Sequence, residues 1–360
     1  MLECNCRENK ITRRGFLYPF LIHVESKRRF YSFMCIHNSM ISDEKTILCD
    51  KKANGKVQPW REKKTANVNY FELLQILKFK KAERVSQCGE ILEFDVTQEG
   101  RMKLAKTWFC KSPLCPMCNW RKTMKRSVQT TKIVEEVIRQ KPRARWLFLT
   151  LSVKNVFDGD QLDKSLKEMA IGFNRLMKYK KVAKNMIGFM RSTEITVNEK
   201  DGSYNQHMHV LLCVESTYFK NDDNYLSQED WTKLWQKAMK LDYTPVVHIE
   251  AVKNKKRNKK SEYTAIQAAV QETAKYSVKD SDYLTGNVEN DLDVVKDLEK
   301  GLFRKRMIAY GGLLKQVHKE LNLDDIEDGD LVRVDEDSDT EEKAYSIVAQ
   351  WNWNLKNYYI

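Results

Sequence analysis

Residues 188–214 read GFMRSTEITVNEKDGSYNQHMHVLLCV, and this stretch decides the fold. The composition and periodicity of 188–197 and of 204–214 predict two β-strands. The six residues between them contain Asp201-Gly202, a dipeptide typical of the tight turn in an antiparallel hairpin. The stretch therefore predicts two neighbouring antiparallel strands.

The flanking sequence extends this hairpin into a mixed fold. Residue periodicity predicts further strands at 145–153 and 246–252. Apolar residues at helical spacing predict helices at 162–179, 229–239 and 262–279. The order strand, helix, hairpin, helix, strand, helix indicates an α+β fold in which helices pack against an antiparallel sheet.

Two histidines in the second hairpin strand form a candidate metal site with a glutamate. Alternate side chains of a strand share a face, so His207 and His209 point the same way. Glu194 lies on the partner strand. It falls opposite His209 if Glu199 and Tyr204 close the turn. A register shift of two residues places it opposite His207 instead. Two imidazoles and one carboxylate leave coordination positions open, which suits Mg²⁺ or Mn²⁺ acting as a Lewis acid on a phosphate. In isolation, each residue would be structural or a surface group.

A second candidate cluster lies on the last predicted helix. Positions i, i+4 and i+7 share a helical face, so Glu272, Tyr276 and Lys279 would lie together. A phenol has a pKa of about 10 and needs activation to attack at neutral pH. Lys279 would stabilise phenolate or phosphate charge, and Glu272 would take a proton from water. The alternatives are an exposed helical face with one aromatic residue, or attack by Tyr263 or Tyr283.

Four cysteines form a candidate structural metal site. Cys115 and Cys118 make a Cys-Pro-x-Cys knuckle, whose spacing suits tetrahedral zinc. Cys88 and Cys110 would complete four thiolates. The alternative is a set of buried or redox-inert thiols. A helix predicted over 120–139 follows, and its basic first half would allow the module to contact DNA.

The chain of 360 residues has a net charge of +13, which favours an anionic partner such as nucleic acid. A merely basic soluble protein would show the same balance of charges.

No run of about 18 apolar residues occurs, so the sequence predicts no membrane span. The nine cysteines are then expected to be thiols or metal ligands in a reducing cytoplasm. A basic block at 253–260 and an acidic segment at 324–342 are expected to be solvated, although the basic block would also suit phosphate contact.

Three motifs, in this order, carry a family resemblance. They are Phe148-Leu149-Thr150-Leu151-Ser152-Val153-Lys154-Asn155, His207-Met208-His209 and Glu272-x-x-x-Tyr276-x-x-Lys279. They resemble the motifs of rolling-circle plasmid replication initiators, which are members of the HUH endonuclease superfamily. The cysteine pattern is similar to that of the subgroup found on small plasmids of Gram-positive bacteria. The resemblance covers roughly residues 47–279.

The resemblance implies a five-stranded antiparallel sheet with helices packed on it, preceded by the small cysteine module. Glu194, His207 and His209 would be the metal ligands. Thr150 and Ser152 would lie in the first motif and serve structure or DNA contact.

Two positions depart from the family pattern. Gln206 stands where family members often carry proline. His248 occupies a strand position where an acidic or neutral residue is expected, and it is either an alternative ligand or a structural residue.

The resemblance also implies the chemistry and the partners. Tyr276 would attack the plasmid's double-strand origin, exposed as single strand at the nick, to form a 5′-phosphotyrosine link and free a 3′-hydroxyl. Glu272 would activate water at the end of the cycle, and Lys279 matches the motif lysine. The implied partners are a host helicase, a host DNA polymerase and a second copy of the initiator.

The expected organisation has four parts. An unassigned extension covers 1–39, with translation expected to start at Met40. A region with the cysteine module covers 40–140, and the nicking and joining endonuclease domain covers 141–285. A C-terminal region with the acidic segment and an aromatic end covers 286–360.

Other functions are compatible with parts of this pattern. A conjugative relaxase or a single-tyrosine transposase would use the same chemistry. However, relaxases usually place the tyrosine before the histidines, and such transposases are usually shorter and lack the cysteine module. A non-catalytic zinc-containing DNA-binding regulator would explain the charge and the cysteines, but it would leave the combination of histidines and tyrosine as coincidence.

Overall fold

A computed structural model describes residues 46–52, 54–220, 223–253, 263–325, 327–334 and 342–360. The predicted extension at 1–39 and the expected start at Met40 lie outside these residues. So do residues 254–260 of the basic block, and residues 326 and 335–341 of the acidic segment.

The elements of the described chain are as follows. The helices are α1 (Trp60–Ile76), α2 (Ala82–Ser86), α3 (Pro116–Gln140), α4 (Gly159–Lys178), α5 (Lys180–Ala183), α6 (Gln228–Met239), α7 (Tyr263–Thr273), α8 (Val288–Gly301) and α9 (Leu313–Glu320). The strands are β1 (Ile91–Thr97), β2 (Met102–Lys106), β3 (Arg145–Ser152), β4 (Met186–Val197), β5 (Tyr204–Val214), β6 (Val247–Ala251), β7 (Ile308–Gly312), β8 (Lys343–Asn352) and β9 (Asn357–Tyr359).

The central feature is a five-stranded antiparallel sheet with the strand order β6-β3-β5-β4-β7. This confirms the predicted α+β class and the five-stranded sheet. The sequence patterns located four of these strands, but they did not locate β7, which is only five residues long and ends in two glycines. At Gly312, φ is +58° and a Cβ would lie 2.3 Å from the Ile187 carbonyl oxygen, so the close approach of β7 to β4 requires glycine.

Strands β4 and β5 form the predicted hairpin and place the candidate metal ligands. Glu194 pairs with His207, and Ser192 pairs with His209. The predicted register with Glu194 opposite His209 is therefore wrong, and the alternative register, shifted by two residues, is correct. Both registers keep Glu194 on the histidine face because side chains alternate with a period of two.

Helices cover both faces of this sheet. On one face, alternate residues of β3 and β5, including Leu149 and Val210, pack against Phe173 of α4 and Trp231 and Trp235 of α6. Burial of each such large side chain contributes about 1.5–3 kcal/mol to stability. Hydrophobic residues of α3, α7 and α9 cover part of the other face, which also carries the two histidines. The histidine site is therefore built on a rigid sheet.

The beginning and the end of the described chain meet in a second sheet. Its order is β2-β1-β8-β9, so β1, which lies between Cys88 and Cys110, pairs with β8 of the aromatic C-terminal end. Trp351 and Tyr358 are buried there, in one core cluster with the four cysteines and residues of α1 and α8. The Tyr358 hydroxyl donates to the Gly89 carbonyl oxygen beside Cys88.

The described part of the acidic segment packs against the basic first half of α3. Glu327 pairs with Lys122 and Arg126 at 3.1 Å each, and Asp324 pairs with Lys125 at 2.5 Å. The three basic side chains are only 4–7% exposed. The Glu327 side chain is only 20% exposed, so the expectation of a solvated segment is wrong at this position, because buried cations of α3 require acidic partners. The Asp324 side chain is 50% exposed and remains in contact with solvent.

Helix α7 ends at Thr273, six residues before the predicted end. The following residues leave the helix and run to the outer edge of β4, where the Ile195 amide donates to the Ser277 carbonyl oxygen at 2.8 Å. Val278 is buried in the same core cluster as Ile195 and Tyr204. The prediction of one helix through Lys279 is wrong, since pairing with the sheet edge and this burial replace the last turns.

No helix in the described part of the chain is long and apolar enough to span a membrane.

Candidate metal centre and tyrosine turn

Glu194, His207 and His209 form a compact group of three potential ligands. The Glu194 Oε2 atom lies 3.5 Å from His207 Nε2 and 3.2 Å from His209 Nε2. The three ligand atoms all lie within 4.8 Å of one another. In an octahedral site with metal–ligand distances of about 2.1 Å, neighbouring ligand atoms are about 3 Å apart. The group therefore fits a divalent cation with little rearrangement.

The surroundings of Glu194 keep its carboxylate charged. Burial by itself would raise its pKa, but hydrogen bonds from His207 and His209 and their charge hold the pKa well below its usual range. The Glu194 side chain is 9% exposed, and Lys279 Nζ lies 3.7 Å from Oε1. A charged ligand at neutral pH is what a hard divalent cation requires.

Residues of β3 support the ring of His209. Thr150 Oγ1 lies 3.2 Å from His209 Nδ1, so a bound cation at Nε2 would leave Nδ1–H to donate to this hydroxyl. The Phe148 ring stacks on the imidazole, with centroids 5.4 Å apart. The Ser152 hydroxyl instead donates to the Val246 carbonyl oxygen at 2.7 Å, and this hydrogen bond links β3 to the residue before β6.

Thr150→Val is expected to weaken Mn²⁺ binding by about tenfold or more, because the loss of a hydrogen bond that orients a metal-binding histidine typically has this effect. Isothermal titration calorimetry with MnCl₂ measures the change. Thr232→Val is the matched control, because that hydroxyl bonds within α6. An unchanged Mn²⁺ affinity in Thr150→Val would show that the hydroxyl does not orient His209.

The three residues predicted to share a helical face contact different partners. Glu272, on the last turn of α7, pairs with Lys275, and both side chains are 40–45% exposed. Tyr276 lies in the turn after the helix and contacts Lys63 of α1, whose Nζ is 5.2 Å from the ring centroid. Lys279 contacts Glu194. The prediction of a shared face is therefore wrong, and Lys279 instead contacts Glu194 of the candidate metal centre.

The two rival tyrosines have different positions. Tyr283 is fully buried, and its hydroxyl donates to the Leu114 carbonyl oxygen at 2.5 Å. This contact supports the cysteine loop and withdraws the hydroxyl from attack. The side chain of Tyr263 lies outside the described residues.

His248 lies outside the three-residue group. It is exposed on β6, in register with Thr150 of β3.

The four predicted cysteines also converge. The Sγ distances are 3.5 Å for Cys88–Cys118, 3.7 Å for Cys110–Cys118 and 3.6 Å for Cys88–Cys115. Zn–S bonds of about 2.3 Å in a tetrahedron place sulfurs about 3.8 Å apart. All four residues are buried. The group therefore fits a tetrahedral thiolate metal site.

Backbone and side-chain donors surround the sulfurs. The Lys111 amide donates to Cys118 Sγ at 3.2 Å, and the Cys110 amide donates to Cys88 Sγ at 3.4 Å. Asn67 of α1 donates to Cys115 Sγ at 3.3 Å. Such donors stabilise thiolate charge, as expected of ligands oriented for a metal.

Comparison with known proteins assigns the chain to a family. A family model described as a replication protein matches residues 101–359. The chain belongs to this replication protein family. It is 53% identical over 317 residues to a protein rep of Lactiplantibacillus plantarum, covering 87% of this chain and 99% of the relative. It is 57% identical over 237 residues to a replication protein of Staphylococcus aureus, covering 66% and 99% of the two chains. No solved structure matches.

These matches confirm the resemblance to plasmid rolling-circle Rep proteins drawn from the three motifs. In this replication protein, α1 contacts both the tyrosine turn and the cysteine module, and the motifs did not reveal these contacts. Lys63 contacts Tyr276, while Lys64 Nζ is buried and donates to the carbonyl oxygens of Ser86 at 2.6 Å and Cys88 at 2.8 Å. No local pattern in α1 signals these contacts, because their partners lie far away in the sequence.

Proposed function

We propose that this replication protein initiates rolling-circle replication of a plasmid by nicking its double-strand origin. The observation that carries the proposal is the link between the metal group and the tyrosine turn. Ile195, next to Glu194 in β4, donates its amide to Ser277, next to Tyr276. The turn that carries Tyr276 is therefore tied to the strand that carries Glu194, and His207 and His209 lie on the neighbouring strand β5.

Glu194, His207 and His209 would hold Mg²⁺ or Mn²⁺. Either ion supplies a Lewis acid that polarises the scissile phosphate and offsets the charge developing on it. Thr150 would keep His209 oriented, and the Lys279 ammonium beside Glu194 would attract the phosphate.

Tyr276 attacks the phosphorus in line with the bond to the 3′-oxygen. A bond forms between the phenol oxygen and the phosphorus on the 5′ side of the nick as the P–O3′ bond breaks. The phenol loses one proton, and the leaving 3′-oxygen gains one to become a hydroxyl. Burial raises the pKa of Tyr276, against the opposing charge of Lys63. The phenol is therefore protonated at neutral pH and must lose its proton during attack. The freed 3′-hydroxyl primes synthesis by a host polymerase.

Glu272 would act when the cycle ends. Its carboxylate lies on the last turn of α7, where it is partly exposed and paired with Lys275, and Glu272 precedes Tyr276 by four residues. Glu272 would accept a proton from a water that attacks the regenerated origin, and strand transfer would then close the displaced circle.

The four cysteines would hold a structural Zn²⁺, which contributes to folding rather than to the cleavage step. The remaining partners follow from the cycle. They are the plasmid origin, single-stranded at the nick, a host helicase, the host polymerase and a second copy of the initiator. The net charge of +13 favours the DNA contact and makes it salt-sensitive.

The decisive test is formation of a covalent adduct. Wild-type protein, incubated with Mn²⁺ and a single-stranded oligonucleotide bearing the candidate nick site, is expected to give a protein–DNA adduct on a denaturing gel. Tyr276→Phe is expected to give none, because a phenyl ring lacks the attacking oxygen. Tyr283→Phe is the control, since its hydroxyl binds the Leu114 carbonyl oxygen, and it should retain the adduct.

Each contrary outcome has a definite meaning. An adduct that survives Tyr276→Phe would transfer the nucleophile to another tyrosine. Absence of both adduct and nicking with either ion, from folded protein that binds the origin, would favour the non-catalytic regulator. Cleavage only at a transfer origin or a transposon end would favour the relaxase or transposase.

A further inference from the structure

Lys63 of α1 occupies a position against the tyrosine turn that no catalytic motif of the chain includes. Its Nζ lies 5.2 Å from the centroid of the Tyr276 ring and 2.6 Å from Asp280 Oδ2. The Lys63 side chain is only 17% exposed. A solvated lysine would not be held between an aromatic ring and a carboxylate, so this ammonium has a defined location.

The lysine expected from the motif does not take this position. Lys279 lies in the same turn as Tyr276, yet its ammonium contacts Glu194 of the metal group. The ammonium that contacts the phenol ring is therefore contributed by α1, from 213 residues earlier in the chain.

The cysteine module holds α1 in place. Lys64, the neighbour of Lys63, donates to the Ser86 and Cys88 carbonyl oxygens, and Asn67 donates to Cys115 Sγ. Adjacent helical residues point in directions about 100° apart, so α1 can present Lys64 to the cysteines and Lys63 to the tyrosine. Lys63 is therefore fixed on a rigid support rather than on a mobile surface.

We infer that Lys63 is a positioning residue for Tyr276, which orients the phenol ring and favours its ionised form during attack. The inference rests on the proposed role of Tyr276 as the nucleophile. A cation over an aromatic face restrains the ring, and a nearby positive charge favours phenolate over phenol. The other titratable groups facing Tyr276 are Asp280, beside Lys63, and Tyr283; Asp280 opposes ionisation of the phenol.

The experiment compares single-turnover adduct formation by full-length variants on the nick-site oligonucleotide with Mn²⁺, between pH 6 and pH 9. Lys63→Met is expected to lower the rate at pH 7 by about tenfold and to shift the pH dependence of the rate to higher pH by about one unit. Loss of a neighbouring positive charge predicts both effects. Oligonucleotide affinity should remain close to that of the control Lys56→Met, which removes an equal charge from an exposed site. Lys63→Arg should recover most of the rate.

The outcomes separate this inference from the proposed function. A rate and pH profile for Lys63→Met equal to those of Lys56→Met, with the adduct still absent in Tyr276→Phe, would overturn the role of Lys63 alone. An adduct that persists in Tyr276→Phe would overturn the proposed nucleophile as well. If Lys63→Met does not fold, Lys63→Gln is measured in the same way, with the same expectation.

Discussion

Glu194→Gln is expected to reduce metal-dependent cleavage of the nick-site oligonucleotide by about 10³-fold, since metal assistance contributes several kcal/mol and about 4 kcal/mol corresponds to this factor. Glutamine keeps the shape of the side chain but removes the negative charge. In the wild type that charge is maintained at neutral pH, because His207 and His209 hold the pKa of Glu194 well below its usual range. Mn²⁺ binding should weaken in parallel with cleavage.

The measurement combines single-turnover cleavage over a range of MnCl₂ concentrations with calorimetric titration of Mn²⁺. Glu199→Gln is the matched control, because Glu199 is exposed in the turn of the same hairpin. That variant should keep wild-type cleavage and affinity. Wild-type cleavage by Glu194→Gln would show that the ion is held elsewhere. Normal Mn²⁺ affinity with lost cleavage would show that the carboxylate acts on the DNA rather than on the ion.

Cys118→Ser is expected to lose bound zinc and at least about 5 kcal/mol of stability, because a structural zinc contributes about 10–16 kcal/mol to the folding of small domains. For a protein of this size, with an unfolding entropy of about 2.1 cal/mol/K per residue, that loss corresponds to a decrease of about 7 °C in Tm. Cys118 Sγ lies within 3.7 Å of both Cys88 Sγ and Cys110 Sγ. The effect should extend beyond the cysteine loop, because the cysteines share a core cluster with Trp351 and Tyr358 of the C-terminal sheet.

Zinc content by plasma mass spectrometry and Tm by calorimetry test this expectation. Cys213→Ser is the control, because Cys213 is also buried but lies in β5, outside the cluster. This variant should retain one zinc per chain, and its free energy of unfolding should fall only by the smaller amount that one buried thiol contributes. Wild-type protein that contains no metal, and whose Tm is unaffected by a chelator, would show that the four cysteines are simply buried thiols.

The candidate metal centre could be predicted from the sequence because its parts are local. Glu194, His207 and His209 lie on two strands joined by a short turn, and the alternation of side chains places all three on one face. Only the register remained open. The cysteine group was predictable for a similar reason, since three of its members lie within nine residues, 110–118.

The tyrosine turn could not be predicted in the same way. Helical periodicity continues past Thr273, and nothing local indicates that Ser277 will accept a hydrogen bond from Ile195 at the edge of β4. The energy of that pairing and the burial of Val278 outweigh a few weak helical propensities. As a result, Lys279 joins Glu194 rather than Tyr276.

By itself, the sequence determined the fold class, the hairpin that carries the candidate metal ligands and the cysteine group, because each depends on the spacing of residues along one strand or loop. Only the tertiary structure decided which charged side chains contact which distant residues. Lys63 reaches Tyr276, and the acidic residues Asp324 and Glu327 cover the cations of α3. These pairs join residues about 200 positions apart, and their formation depends on the summed packing of whole elements, which no local pattern encodes.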